Sequence, residues 1–417
     1  MNVQKLGVLS GVIGASLFAA ACSAPHGNGL SCGQGTSQLG NECVPVDAGL
    51  VDAERLPDAE PIDAPADAAV PDSESSGFAI DPAHDNAQPT DRVASPLAPL
   101  WSAMLPGHVS YPLVVGGLVI VSVAGSQPTV RALDLHSGAL VWGPIVFGKA
   151  VKLAYDRGQV FALELMGNLT ALDAATGQQN WAEQVLGEVS FFETPPVASG
   201  GLIYVDGFDT ETVALDEGTG KASWLYDLGE ANGGCVAVGG GAIYESSGCN
   251  TVIALDPQTG AKLWSHSGNC TGGSSEAPAT YNGLIWNQDV VSGSLILNNS
   301  GALVDTFASG TLPALAGNTA FYNSNGTVSA VDIATDTIRW SFTGDGELCT
   351  APVVAGGGGQ VLVGSQSGNV YELDEATGSQ RSVANVGAAV TCFSETDSMA
   401  LAENRLVVPV GNGLVVF

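Results

Sequence analysis

One phrase returns seven times along this chain: LDLHSGALVW at 133–142, LDAATGQQNW at 172–181, LDEGTGKASW at 215–224, LDPQTGAKLW at 255–264, ILNNSGALVD at 296–305, VDIATDTIRW at 331–340 and LDEATGSQRS at 373–382. The copies lie about 40 residues apart, the length of a four-stranded propeller blade. Apolar runs broken by glycine precede them, as in GLIYVDGF, GAIYESSG, GLIWNQDV and QVLVGSQSG, and read as short strands joined by tight turns. There is no room for a helix between these runs, which argues against a Rossmann or barrel enzyme. The chain is expected to be all-β, with antiparallel four-stranded blades.

Counting blades predicts how the ring closes. NRLVVPVGNGLVVF supplies the strands of an eighth unit but stops before its turn and Trp, while PLAPLWSAMLPG carries Trp101 with no inner strands before it. Pairing the strand around Trp101 with the strands that end at Phe417 gives an eight-bladed β-propeller with no free sheet edge at the seam.

The phrase itself can be explained without a ligand. Asp173 can accept hydrogen bonds from the turn's backbone N–H groups, Thr176 can add a hydroxyl contact, and Gly177 permits the positive φ that the turn needs. Trp181 then falls on the outer strand, where its ring can cover the neighbouring blade and its N–H can reach a backbone acceptor. Six tryptophans fit this docking position: Trp101, Trp142, Trp181, Trp224, Trp264 and Trp340. On these residues the repeat resembles the tryptophan-docking repeat of the pyrroloquinoline-quinone-like (PQQ-like) β-propeller superfamily, over roughly residues 95–417. Asp305 and Ser382 replace Trp in two copies, Leu297 replaces the turn Asp in one of them, and Asp336 replaces Gly in another. The blade around 296–305 is expected to be the least regular.

That superfamily divides by function. Its quinone dehydrogenases carry an adjacent Cys-Cys pair over the cofactor and supply Glu, Asn and Asp to Ca²⁺ together with an Asp base. This sequence has no adjacent Cys pair. Glu193, Glu276 and Glu347 precede the inner strands of their blades and are weak candidates for a rim cation site, which needs six or more converging oxygens. Solvated loop carboxylates are the plainer reading. Neither HExxH nor GxSxG occurs. The non-enzymatic branch, which includes an eight-bladed outer-membrane lipoprotein of β-barrel assembly, is the better match. It implies a scaffold without cofactor that binds a protein or glycan; a PQQ/Ca²⁺-dependent oxidoreductase is the alternative.

The other end of the chain speaks to location. Residues 1–21 form a signal peptide with Lys5, an apolar stretch and small residues. Cys22 after AAA resembles a lipobox cysteine and is the expected lipid anchor, with Ser23 suggesting sorting to the outer membrane. Residues 22–43 hold Cys32 and Cys43, expected to pair locally. Residues 44–92 rotate Ala, Asp and Pro, too polar and too charged to order, and are expected to be a disordered tether. The propeller is assigned to residues 93–417. Five further cysteines remain: Cys235, Cys249, Cys270, Cys349 and Cys392. Being odd in number, they leave at least one free or paired outside the set. They fall near the connections on one face of the ring, where Cys235–Cys249 and Cys349–Cys392 are the first pairings expected. A net charge of −30 with twelve Lys and Arg speaks against nucleic acid as partner. A monomer is expected.

Overall fold

Strands buried on both faces read as continuous apolar runs, and those exposed on one face alternate. Both patterns occur in the repeats. In the first, Val119, Ile120 and Val121 are successive and fully buried, whereas the outer strand of the second, Gln179–Gln184, is mostly exposed. The inner strands are therefore sandwiched between neighbouring sheets, and only the fourth meets solvent.

The structure, a computed structural model, describes residues 36–39, 42–45, 73–185, 194–206, 211–228, 235–247, 250–268, 277–288, 293–392 and 398–417. It divides into Met1–Ala68 and Ala69–Phe417. In the first unit Thr36–Leu39 pairs antiparallel with Glu42–Pro45, which sets the backbone of Cys43 opposite Gln38. Cys22 and Cys32 lie outside the described residues.

The second unit is the propeller. Blade 1 runs outward through Leu113–Val115, Leu118–Val123, Thr129–Asp134 and Leu140–Val146. Blades 2 to 7 repeat this order over residues 151–184, 197–227, 236–266, 279–307, 314–342 and 353–385. Blade 8 takes three strands from residues 400–416 and its outer strand, Trp101–Met104, from far earlier in the chain. The two parts pair antiparallel, Val416 opposite Trp101 and Gly413 opposite Met104.

The tryptophan of one blade lies over the turn of the next. Trp142 Nε1–H donates to the Ala174 carbonyl at 2.8 Å, and its ring stands over Gly177, where a Cβ would come within 2.7 Å of ring carbons. Gly177 also has a φ of 71°. Glycine is thus needed twice, for the backbone and for the ring above it. The same acceptor and glycine serve Trp101 (Leu135, Gly138), Trp181 (Glu217, Gly220), Trp224 (Pro257, Gly260), Trp264 (Asn299, Gly301) and Trp340 (Glu375, Gly378). Beneath the ring, Asp173 Oδ1 accepts from the Thr176 N–H and hydroxyl at 2.9 and 2.6 Å, holding the turn closed.

Three of the departures from the motif, Asp305, Asp336 and Ser382, fall on two junctions. Blade 5 carries Asp305 in place of Trp, and the blade 6 turn that would receive that ring carries Asp336 in place of Gly. Asp336 keeps the positive φ, at 50°, and its side chain fits because the preceding blade sends no indole. Phe307 stacks on Tyr322 there at 5.3 Å, and Trp286 donates to the Tyr322 hydroxyl. The expected irregularity of blade 5 lies in its turn: Asn298, not Leu297, stands in the place of the turn Asp and accepts from the Ser300 N–H and hydroxyl at 2.9 and 2.7 Å, and the turn is one residue shorter, its Gly301 N–H bonding to the Asn298 carbonyl three residues back where Gly177 bonds to Asp173 four back. Its strands still pair with the common one-residue shift before the turn. Sheet hydrogen bonds set that register, and they do not need the tryptophan. Blade 7 carries Ser382, and blade 8 has no turn to dock on, because its third and fourth strands are not consecutive in sequence. Residues 93–100 fill this seam instead. Leu97 is buried, its N–H donates to Ser382 Oγ, and Ser95 and Ser382 both donate to Glu372.

One boundary moves. The disordered tether assigned to residues 44–92 gives way to ordered, packed chain from residue 73 onward. Phe78, Ile80 and His84 supply the burial that composition averaged over the stretch conceals.

Trp142→Ala is expected to cost about 3–5 kcal/mol in urea unfolding, the usual loss for a buried large aromatic. Gly177→Ala should also destabilise, but by clearly less in the Trp142→Ala background, since one of its two penalties is then gone. Strictly additive effects would refute the shared contact.

Candidate functional site: the axis and the loop face

Inner strands of a propeller turn one edge toward the axis, and those N–H groups need acceptors. Residues 73–92 supply them in ring order. The Ser75 carbonyl accepts from Val114 N–H of blade 1 and the Ser76 carbonyl from Tyr155 of blade 2. Pro82 accepts from Val238 of blade 4, Ala83 from Thr280 of blade 5, Asp85 from Leu315 of blade 6 and Asn86 from Val354 of blade 7. Ala87–Gln88 then lies parallel to the blade 7 inner strand. A segment bonded to six inner strands can only lie across the axis, and we call it the strap.

Its ends close on one another. Ser73 Oγ–H donates to Asp91 at 2.6 Å, the Glu403 N–H donates to Ser73 Oγ, and the Arg92 N–H donates to Asn404 in the inner turn of blade 8. The strap therefore enters and leaves on the face that carries the docking turns. Between its ends a tight loop, closed by Ser76 N–H to Ile80 carbonyl, drives Phe78 and Ile80 into the lumen. Phe78 packs edge-on against Tyr111 and His84. Among the described residues no such strap bond reaches the inner strand of blade 3. There Val197 and Ala198 border a small cavity shared with Asp81, Pro82 and His84.

The strap carries ionisable groups into this space. His84 is buried and donates through Nδ1 to the Pro278 carbonyl at 3.0 Å; burial lowers its pKa to about 4. Asp81 caps the Ala83 N–H, Asp85 caps that of Ala87, and burial raises their carboxyls to about 6 and about 8 respectively. The Asp81 charge adds to the rise at Asp85.

The opposite face carries the outer-to-inner connections and the loops between second and third strands. There Cys349, before blade 7, is joined to Cys392, before blade 8, by a disulfide. Asp345 ties the same connection down by accepting from Ser365, Ser367 and Asn369. Glu347 is exposed beside it. Glu193, Glu276, Cys249 and Cys270 lie outside the described residues, so the three-carboxylate rim and the Cys235–Cys249 pairing do too. Among the described residues no three His, Cys, Asp or Glu side chains converge as a metal-binding group. Below this face Glu245 is fully buried and accepts from the Thr212 hydroxyl across the junction of blades 3 and 4. Burial, and then the neighbouring Asp206 charge, pushes its carboxyl well above the ordinary range. Neither strap nor acid pair could be found from repeat alignment, because both lie where the copies differ.

Ring, docking turns and axis together define a PQQ-like β-propeller. The chain belongs to the family described as outer membrane protein assembly factor BamB, which matches residues 94–266 and 279–417. The assembly factor BamB of Yersinia pestis is 24% identical over 204 residues, 44% of this chain and 50% of that protein. That of Burkholderia pseudomallei is 28% identical over 40% of this chain and 44% of its own length, so the matched stretch spans about half of these relatives or less. Among solved structures, BamB from Moraxella catarrhalis superposes with a TM-score of 0.60 at 19% identity, covering 76% of this chain and 96% of that one. The quinohemoprotein alcohol dehydrogenase of Comamonas testosteroni superposes with a TM-score of 0.62 at 15% identity, covering 83% and 80%. At such identities the two superpositions establish fold alone.

Two outcomes follow from the loop face. Because Glu245 is raised in the fold, its contribution to stability is complete below its ordinary value of 4.5 and is lost as pH climbs through the folded value. Wild-type melting should therefore fall from pH 5 to 9 more steeply than that of Glu245→Gln; parallel profiles would remove the acid pair from the account. Reducing Cys349–Cys392, which closes 43 residues of chain, should cost about 2–4 kcal/mol in urea unfolding.

Proposed function

We propose that this chain is a non-catalytic propeller scaffold of the cell envelope, anchored by lipid at Cys22 and presenting its loop face to a protein partner in outer-membrane assembly. Family membership is the observation that carries the reading. The occupied axis supports it: the strap fills the lumen with Phe78 and Ile80 and takes up inner-strand N–H groups, which leaves the loop face and the rim for recognition. A protein is favoured over a glycan because the family's own description is of protein assembly. On this reading the acidic tether spaces the propeller from the membrane, and its charge keeps the chain monomeric and soluble.

The quinone-dependent oxidoreductase is the competing reading, favoured only by the shared fold. Titration with PQQ and Ca²⁺ separates the two. No saturable shift in melting temperature or quinone absorbance is expected, and either one would overturn the scaffold. Cys22→Ala should release the protein from the membrane fraction. Proximity labelling in intact envelopes should mark outer-membrane assembly proteins in wild type and lose them in the variant.

A further inference from the structure

Six docking turns receive an indole, and that of blade 6 does not. The carbonyl that stands in blade 6 where Ala174 and Glu217 stand in blades 2 and 3 is that of Ile333, and among the described residues nothing donates to it. The frame is otherwise unchanged. Asp305 lies opposite Ile296 as Trp181 lies opposite Ala171, and the Asp336 N–H bonds to the Asp332 carbonyl as that of Gly177 bonds to Asp173. Asp305 and Asp336 thus take the places of a ring and of the glycine beneath it, and meet across the junction. Both also lie near enough to Tyr322 for their charges to add to the rise that burial causes in its hydroxyl. The chain supplies them no cation. At the junction of blades 2 and 3 Lys221 pairs with Glu183, but the residues in those places here are Thr337 and Phe307. Arg339, the basic residue of the two outer strands, is taken by Asp332 of its own blade, and none of the described ion pairs includes Asp305 or Asp336. The same strands are apolar beside the acids: Leu303 and Val304 are each 54% exposed and Ile338 is 66% exposed.

We propose that the rim groove between blades 5 and 6 is a docking site for an arginine side chain of a protein partner, presented among apolar residues on an extended segment. The occupant follows from what the groove holds. At the other junctions the place is filled by a flat ring with one N–H, lying on glycine and donating to a carbonyl. Asp336 excludes such a ring, because a Cβ in the equivalent place at Trp142 comes within 2.7 Å of ring carbons. Two carboxylates and a carbonyl instead call for a cation with several donors. A guanidinium is planar and always charged, and its fork of N–H groups can serve both carboxylates and the Ile333 carbonyl at once. An ammonium is a point charge without that plane, and a hard cation such as Ca²⁺ wants six or more converging oxygens. Leu303, Val304 and Ile338 would cover the apolar neighbours of the arginine. A chain of net charge −30 also draws a basic segment toward it from a distance. The groove lies among outer strands, apart from the loop face, and depends neither on anchoring at Cys22 nor on the partner proposed above.

Fluorescence anisotropy of a short labelled peptide, with one arginine between valine and leucine residues, titrated with the purified full chain at low salt, tests the site. Saturable binding is expected. Citrulline in place of the arginine keeps the shape and removes the charge, and should weaken binding about tenfold or more. Asp305→Asn/Asp336→Asn should weaken the arginine peptide by about as much while leaving the melting temperature near that of wild type. Asp305→Trp/Asp336→Gly rebuilds the docking contact that the other junctions have, so it should melt higher than wild type and bind no peptide. If that variant does not fold, the Asn pair carries the test alone. No saturable binding, equal affinity for the arginine and citrulline peptides, or wild-type affinity in the Asn pair would each overturn the site, as would peptide bound by a folded Asp305→Trp/Asp336→Gly. A lysine peptide that binds as tightly as the arginine one would overturn the guanidinium. Membrane release of Cys22→Ala and labelling in envelopes have no bearing on these outcomes.

Discussion

An indole resting on a Cβ-less turn is the contact on which the ring depends. It joins two repeats at once: the tryptophan belongs to one blade, the glycine and the carbonyl acceptor to the next. The motif is therefore not a property of a single copy, and its departures make sense only across a junction. Asp305 and Asp336 sit in different repeats but at one interface, where neither the ring nor the space for it is required. Ser382 faces a blade that has no turn, so a tryptophan there would have nothing to cover. In both places other groups take up the contact, Tyr322 beneath Phe307 in one and Leu97 with Glu372 in the other.

Closing a ring with such contacts creates a second problem at its centre. Eight inner strands converge with one edge each turned to the axis, and small or apolar side chains such as Ala279, Ala314 and Ala400 keep the lumen narrow. Water could hydrate those edges, but a peptide laid across them does so while burying Phe78 and Ile80. The strap is also continuous with the wedge at the seam of blades 7 and 8 and with the outer strand of blade 8. One stretch of chain from residue 73 to 104 thus fills the axis, packs the seam that lacks a tryptophan and completes the last sheet. The radial junction that has no docking turn and the chain's route from centre to rim coincide, and the disulfide Cys349–Cys392 lies on the opposite face of the same sector.

Blade number, strand order and the docking role of the tryptophans were legible because each repeats, and repetition turns a weak local pattern into a register. The strap was not legible, for the reason that made the tether so. Asp81, Pro82, Asp85 and Pro89 continue the acidic, proline-rich composition of residues 44–72, and composition averaged over such a window cannot see three apolar residues. The signal that could have found it is local: Phe78 and Ile80 flank an alanine within six residues of His84, where the tether otherwise offers little apolar surface. The second role of glycine escaped for a different reason. Positive φ is a property of one residue and can be guessed from a turn, whereas the ring above Gly177 comes from a residue 35 positions earlier and appears only when the blades are stacked.

The proposal that recognition takes place on the loop face draws on what the chain has already used elsewhere. The docking turns other than that of blade 6 are covered by indoles, the inner edges of six blades are bonded to the strap, and the strap's ends are clasped on the turn face by Ser73, Asp91 and Asn404. The described connections of the loop face are not spent on docking or on the axis in this way. They differ in length and sequence from blade to blade, and repetition is not needed for them to keep the ring closed. Variation of this kind on a rigid frame is what a binding surface requires. An axial cofactor would have to share the lumen with Phe78, Ile80 and His84, whereas a partner on the loop face would displace nothing that holds the propeller together.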